Sequence, residues 1–362
     1  MRILGLETSC DETAASVIEA KPGDKYVRLL SNVVSSSLPL HAKTGGIIPE
    51  IAARQQIQYI IPVIQQALKE SSLYPPSSKI HLPPSTIYRP DIDAIAVTYG
   101  PGLIGSLLVG VETAKTLSYA WKKPIVPVNH LIGHIYANFI CSELNARRYT
   151  LDANIEFPAL ALIVSGGHTD LVLIKEHEKI QWLGGTRDDA AGEAFDKIGR
   201  LLRLPYPGGP AIEKAAKSGN PKAFTFPRPL IGSDDFDFSF SGLKTAVFRE
   251  VKTMKQLSNE TIADLSASMQ NAIIDVLIKK TLRAAQKYEV KSILLSGGVA
   301  ANQALRDRFT LEIRNLKLEI PLFVPPKNLC TDNGGMIASA AFFNYKELAW
   351  NKLNANPELY FD

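Results

Sequence analysis

The chain has 362 residues, more than one ordinary hydrophobic core accommodates, so two domains are expected. Hydrophobic residues at 46% and charged residues at 21% are the proportions of a soluble globular protein and exclude a disordered chain. A formal net charge of +4, from 40 basic against 36 acidic residues, makes no strong field, so a nucleic-acid partner is permitted by the charge but not implied by it.

Strands are predicted at 2–7 and 13–18, flanking the polar turn Thr8-Ser9-Cys10-Asp11-Glu12, with a third at 27–34. After Gly45-Gly46, apolar residues at helical spacing predict a helix over 47–69 that carries Pro62 as a kink point. Residues 71–90 hold several prolines and serines and read as an exposed loop. A strand at 93–98 runs into Gly100-Pro101-Gly102 and a helix to about residue 120; a short strand at 125–128 then precedes a helix bearing His130 and His134. At a polar stretch, 145–156, the first domain is expected to give way, and Phe157 opens the second with a hairpin, 160–164 and 171–174, around Ser165-Gly166-Gly167. Helices follow at 189–202, 213–217 and 265–288, then a strand at 292–295, a helix through Phe309 and a last helix over 336–352. Two hairpin-led halves predict a duplicated α/β fold of two lobes with a central cleft. The lobes are drawn as 1–128, completed by the C-terminal helix 336–362, and 129–335, with 71–90 as a Pro-rich surface loop. Cys10, Cys141 and Cys330 are too few and too scattered for a disulfide framework, and the expected compartment is a reducing cytoplasm. No apolar run is long enough to cross a bilayer, and the chain opens directly on a strand, so neither a membrane span nor a signal peptide is expected.

His130 and His134 share one face if their segment is helical, and Asp332, in Cys330-Thr331-Asp332-Asn333, would add a carboxylate. Two nitrogens and one oxygen with open positions suit non-haem Fe(II), and zinc also occupies such a set. The same residues also allow a structural reading, with imidazoles bonded to backbone carbonyls and Asp332 capping the helix after it. Ser165-Gly166-Gly167, Ser296-Gly297-Gly298 and Gly208-Gly209 each read singly as a tight turn; together they point to a nucleotide cleft. None is followed by Gly-Lys-Ser/Thr, and none fits Gly-x-Gly-x-x-Gly, which excludes the Walker A and dinucleotide readings. Asn302 is either a helix cap or a ligand contact. Asp189, Glu193 and Asp196 are either a stripe paired to Lys197 and Arg200, or place Asp196 on a ribose or amine. Asp11 and Glu12 serve the first turn or position a reacting group. Lys244, Arg249, Lys252 and Lys255 form a short basic run that is either a solvated helix face or a contact for RNA phosphates.

Glu7-Thr8-Ser9-Cys10-Asp11-Glu12-Thr13, Gly45-Gly46-Ile47-Ile48-Pro49-Glu50, Gly100-Pro101-Gly102-Leu103 and Ser165-Gly166-Gly167-His168-Thr169 occur in this order with the histidine pair. They continue with Asp188-Asp189-Ala190-Ala191-Gly192-Glu193-Ala194-Phe195-Asp196-Lys197, Ser239-Phe240-Ser241-Gly242-Leu243-Lys244-Thr245, Ser296-Gly297-Gly298-Val299-Ala300-Ala301-Asn302 and Cys330-Thr331-Asp332-Asn333. Over nearly the whole chain this set resembles the tRNA N6-adenosine threonylcarbamoyltransferases, called TsaD in bacteria, in their bacterial and organellar form. The resemblance implies an actin-like, sugar-kinase-like ATPase fold (ASKHA). It implies transfer of a threonylcarbamoyl group from threonylcarbamoyl-AMP to N6 of the adenosine at position 37, beside the anticodon, in tRNAs reading codons that begin with adenine. It further implies metal ligands at His130, His134 and Asp332, with Fe(II) first and Zn(II) second, and substrate contacts at Ile163, Val164, Ser165, Gly166, Gly167, Asp196, Gly209 and Asn302. The partners it implies are tRNA, a TsaB-like paralogue and a TsaE-like ATPase, or a homodimer for the organellar type. Asp11 and Glu12 are the candidate catalytic bases. Gln56 stands where many relatives have histidine, and the 71–90 loop is longer than usual, departures expected to touch surface or partner contacts more than chemistry. The rival readings are an ATP-dependent kinase or ATPase of the same fold, a metalloprotease, and a non-catalytic tRNA-binding scaffold. The helix-borne histidines weigh against the kinase, and the missing His-Glu-x-x-His glutamate against the protease.

Overall fold

The computed structural model describes residues 1–73, 88–141, 154–254 and 256–361. Most of the Pro-rich segment 71–90, most of the polar stretch 145–156, and Lys255 fall outside the described residues. In chain order the elements are β1 (Arg2–Glu7), β2 (Glu12–Glu19), β3 (Val27–Ser36), α1 (Leu38–Thr44), α2 (Pro49–Glu70), β4 (Ala94–Gly100), α3 (Ile104–Trp121), β5 (Ile125–Asn129), α4 (His130–Tyr136) and β6 (Ile140–Cys141). They continue as β7 (Ala159–Val164), β8 (Thr169–Glu176), β9 (Lys179–Gly185), α5 (Ala191–Leu201), α6 (Gly208–Ala216), α7 (Ser241–Thr253) and α8 (Asn259–Lys287). The last are β10 (Ser292–Ser296), α9 (Gln303–Asn315), β11 (Leu322–Phe323), α10 (Lys327–Cys330) and α11 (Gly334–Phe343).

The chain divides into two compact units, Met1–Asn154 with Thr331–Asp362, and Ile155–Cys330. The division lies close to the change of domain read at the polar stretch before Phe157, and differs from the lobe boundaries 128/129 and 335/336. The reason is local: β5 runs straight into α4, whose cap Asn129 accepts from the Leu131 amide at 2.8 Å. α4 then packs on α11 so closely that a Cβ on Gly133 would lie 2.7 Å from Ile337 Cδ1.

In the first unit the sheet order is β5-β4-β1-β2-β3-β6, with β1, β2 and β3 antiparallel and β4 and β5 joined in parallel. Side chains alternate across β1. Leu4 and Leu6 pack with Ile60, Val63 and Ile64 of α2 and Val111 of α3. Gly5 faces the other way, where a Cβ would lie 2.1 Å from Gly334 O, so α11 crosses β1 nearly backbone to backbone. The second unit repeats the plan as β11-β10-β7-β8-β9, with β7, β8 and β9 antiparallel and β10 and β11 parallel. Its core joins Leu160, Leu162 and Val164 of β7 to Phe195 of α5, Leu243 and Val247 of α7, and Met269 and Ile273 of α8. The duplicated α/β plan expected from the sequence is thus present in both sheets.

The last helix is shorter than the predicted 336–352. Asn344 ends it, donating through Nδ2 to Ala340 O at 3.0 Å, and Leu348 then bridges Ile125 on the edge strand β5. α1 and β9 were not anticipated; β9 is an edge strand with mostly exposed side chains, and it lacks a clear period.

Candidate metal centre and donor loops

His130 opens α4 and His134 lies one turn on, so the rings meet edge to face with centroids 4.6 Å apart. Asp332 belongs to the turn before α11, where Asn333 and not Asp332 is the cap, its Oδ1 accepting from Met336 N at 2.9 Å. Asp332 Oδ1 stands 3.3 Å from His134 Nε2 and 3.7 Å from His130 Nε2, and one ligand atom from each residue lies within 4.8 Å of the others. All three belong to the first unit.

The set fits a cation on two counts. Donors each about 2.1 Å from a single ion at ordinary ligand angles stand about 3–3.5 Å apart, close to the two distances found. His134 is 1% exposed, and among the described residues neither of its ring nitrogens has a hydrogen-bond partner, an arrangement costly for a buried polar ring unless an ion meets it. The backbone-carbonyl role is therefore not what the imidazoles perform. His130 Nδ1 faces Glu7 Oε2 at 3.0 Å and Ser9 Oγ at 3.2 Å. Glu7 is fully buried at the end of β1 and also accepts from Thr98 Oγ1 and the Ser9 amide, each at 2.5 Å. With Nδ1 engaged there, Nε2 is the nitrogen turned towards Asp332, as in carboxylate–histidine–metal arrangements. Burial alone would lower the His130 pKa, but the charges of Glu7 and Asp332 and the hydrogen bond to Glu7 outweigh it and raise the value to about 9.

The turn between β1 and β2 carries Asp11 and Glu12. Burial, opposed by a hydrogen bond to Glu12, pushes the Asp11 carboxyl up; burial and the nearby Asp332 and Asp11 charges push Glu12 well above the usual range. Gln56 holds this turn from below: fully buried in α2, its Nε2 reaches Thr8 O at 3.3 Å and Cys10 O and Glu12 O at 3.0 Å. The expectation that the Gln56 departure concerns surface contacts is corrected, since this side chain lies under the turn that presents both candidate bases.

In the second unit the predicted donor contacts Ile163 to Gly167 lie at the C-terminal end of β7, where ligands of α/β sheets commonly bind, while Asp196 lies on α5, Gly209 on α6 and Asn302 before α9. Ile163 and Val164 end β7; Ser165, Gly166 and Gly167 form the turn to β8. A Cβ on Gly166 or Gly167 would meet nothing within 4 Å, so both glycines face open space. Gly297 instead lies against β7, with φ +89° and a Cβ position 2.4 Å from Val164 O. Gly192 at the start of α5 donates to Ser165 O at 3.2 Å, and Asp196 Oδ1 accepts from Gly208 N at 2.7 Å, beside Gly209. Burial raises the Asp196 carboxyl despite the amides of Gly208 and Gly209. Of the acidic stripe, Asp189 and Glu193 pair with Lys197, at 2.6 and 2.9 Å. Asn302 is the cap of α9, accepting from Leu305 N at 3.0 Å and donating to Gln270 Oε1 at 2.8 Å.

A family model described as TsaD, tRNA N6-adenosine threonylcarbamoyltransferase, matches residues 28–339. The chain belongs to the TsaD family. A protein of Moorella thermoacetica named tRNA N6-adenosine threonylcarbamoyltransferase is 46% identical over 360 residues, covering 99% of this chain and 96% of the relative. Proteins of the same name from Bacillus cereus and Syntrophomonas wolfei are 47% and 44% identical, again over 99% of this chain and 96% and 97% of theirs. Among solved structures, full-length HypF in its phosphate- and nucleotide-bound form superposes with TM-score 0.55 at 12% identity, over 94% of this chain and 55% of that one. T. kodakarensis HypF gives 0.58 at 14% identity, over 94% and 47%. The chain thus spans about half the length of these HypF chains, and the likeness supports the fold alone: the duplicated actin-like, sugar-kinase-like architecture expected for the TsaD family. Within that TsaD fold, the sequence reading missed the roles of Glu7 and Gln56. Glu7 is a carboxylate closing an apolar strand, and Gln56 continues the Ile60, Val63, Ala67 stripe of α2, so each interrupts a buried pattern and is detectable on that ground.

Proposed function

We propose that the chain transfers the threonylcarbamoyl group of threonylcarbamoyl-AMP to N6 of adenosine 37 in tRNAs reading codons that begin with adenine. The observation that carries this reading is the 46% identity to an enzyme of that name over 99% of the chain. The exocyclic amine of adenine is a poor nucleophile because its lone pair is conjugated with the ring, so the attacking nitrogen must lose a proton as AMP departs. Asp11 or Glu12 takes it, each a carboxyl whose affinity for protons burial has raised. Gly166 and Gly167, open to approach, offer amides to the donor's phosphate or carboxylate oxygens, with Ile163, Val164, Ser165, Asp196, Gly209 and Asn302 completing the contacts. A divalent cation on His130, His134 and Asp332, Fe(II) before Zn(II), would supply Lewis acidity and a template for the donor. A kinase of this fold would hold Mg²⁺ through phosphates and carboxylates, so the imidazole pair disfavours it.

The partners in this reading are a TsaB-like paralogue and a TsaE-like ATPase, and the compartment is the cytoplasm. No helix among the described residues is long and apolar enough to cross a membrane. An exposed apolar face on α2 and α3, formed by Ile57, Ile61, Ile104 and Leu108, supports the paralogue as its occupant. The test is reconstitution with threonylcarbamoyl-AMP and an unmodified tRNA transcript, followed by nucleoside analysis, with and without the two partners. N6-threonylcarbamoyladenosine formed faster in the full mixture is the expected result. No modified nucleoside with intact donor would overturn the reaction; an equal rate for the chain alone would overturn the partners and favour a homodimer.

A further inference from the structure

The basic run after Ser241 lies on α7, and the transfer chemistry leaves it without a role. Lys244, Phe248 and Lys252 follow one another at four-residue spacing along the helix, with Thr245 and Arg249 beside them, so three cations and an aromatic ring share one exposed arc. Leu243 and Val247 on the opposite side are buried in the core of the second unit, which fixes the arc's direction towards solvent. Glu250, the only acid in the helix, falls on the far flank beside Leu243. Among the described residues none of the three cations forms an ion pair, whereas Arg187, Lys197, Arg228 and Arg308 of the same unit each meet a carboxylate. Phe248 remains 47% exposed, an unusual placement for a ring that could have packed inward.

The helix is also connected to the proposed donor loop through the segment Asp188–Gly192. Asp188 accepts from the Phe240 and Ser241 amides at 2.8 and 3.2 Å and from the Ser239 and Ser241 hydroxyls at 2.6 Å, closing the N-terminal end of α7. Four residues on, the Gly192 amide reaches Ser165 O in the donor loop, and the Ala191 amide reaches Thr169 Oγ1 at 2.9 Å. The short segment Asp188–Gly192 is therefore hydrogen-bonded at one end to α7 and at the other to the glycine turn and β8, all within the second unit.

We propose that this arc of α7 receives single-stranded or looped RNA of the tRNA substrate, with Lys244, Arg249 and Lys252 on phosphates and Phe248 stacked on a base. Cations grip the backbone without reading sequence, and an exposed ring offers a platform that any base can use. The assignment rests on the transferase reading and adds to it the surface that takes the acceptor.

The test uses the fully reconstituted enzyme and an unmodified tRNA transcript, comparing wild type with the triple variant K244A/R249A/K252A and with F248A. The triple variant is expected to raise the KM for tRNA about tenfold with kcat little changed, and to flatten the salt dependence of tRNA affinity by about one logarithmic unit per lost contact. F248A is expected to weaken tRNA binding roughly tenfold with the salt slope unchanged, because stacking releases no counterions. Unchanged affinity and slope in the triple variant would overturn the proposal, as would a loss confined to capture of a partner protein. Unchanged affinity in F248A would overturn the stacking contact. Modification by wild type with equal tRNA KM in the variants refutes the α7 surface alone; no modification by wild type refutes the transferase reading beneath it.

Discussion

Replacing Glu7 by Gln removes the carboxylate that faces His130 Nδ1 at 3.0 Å while keeping the side chain's size. His130 then loses the group that turns its Nε2 towards Asp332, and Zn²⁺ affinity measured by calorimetry should fall roughly 10- to 100-fold, the usual effect of losing such an outer partner. H130A, which removes a donor outright, should lose stoichiometric binding. An E7Q protein that stays folded and binds Zn²⁺ as tightly as wild type would leave Glu7 without this role. The histidine pair was legible because a four-residue spacing needs only a helix to bring two rings together. Glu7 was not, because its partners Thr98 and His130 arrive from β4 and α4 through sheet pairing that no local pattern encodes. Gln56 was seen as a departure, but its burial under the Thr8–Glu12 turn depends on how α2 packs across β1 and β2.

At the scale of elements, α7 depends on Asp188. Burial works to raise this carboxyl, but the hydroxyls of Ser239 and Ser241 and the amides of Phe240 and Ser241 outweigh it and hold the pKa below the ordinary 3.8. A depressed folded-state value means that the carboxylate's contribution to stability is complete above the unfolded value and disappears as pH falls through the folded one. Wild type should therefore exceed D188A in urea stability by about 1 kcal/mol at neutral pH, the ordinary worth of a helix cap, and the gap should close below about pH 3.8. A gap independent of pH would show that the difference comes from packing. Strong periodic elements such as α2 and α3 were predicted within a few residues of their observed ends, since an apolar stripe fixes both type and length, whereas α8 starts at Asn259, well before the predicted 265. The last helix was overrun because Phe342, Phe343 and Trp350 continue an apolar pattern. The helix instead ends at Asn344, whose Nδ2 donates to Ala340 O, and the chain beyond it turns back to bridge β5 at Leu348. The capping role considered for Asp332 passed to its neighbour Asn333, a one-residue shift that decides which side chain turns towards the histidines.

For the whole molecule, the repeat of a hairpin followed by parallel strands in both units was foreseeable from the two hairpins and their glycine turns, whereas β9, the third antiparallel strand of the second sheet, was not. The polar stretch before Phe157 lies near the observed division, but the lobe boundary drawn after residue 128 put α4 in the wrong half, because nothing local shows that α4 is held by α11, about two hundred residues later. That return of the C-terminal segment brings Asp332 beside α4, so fold and candidate metal site arise from one long-range packing event. The most direct test of the account is to purify wild type and H134A anaerobically, determine metal per chain, and measure N6-threonylcarbamoyladenosine formed on a tRNA transcript from supplied threonylcarbamoyl-AMP in the reconstituted mixture. The account predicts about one metal ion per wild-type chain with the modified nucleoside formed, and a folded H134A protein with neither. A folded, metal-free H134A protein that modifies tRNA at the wild-type rate would contradict it.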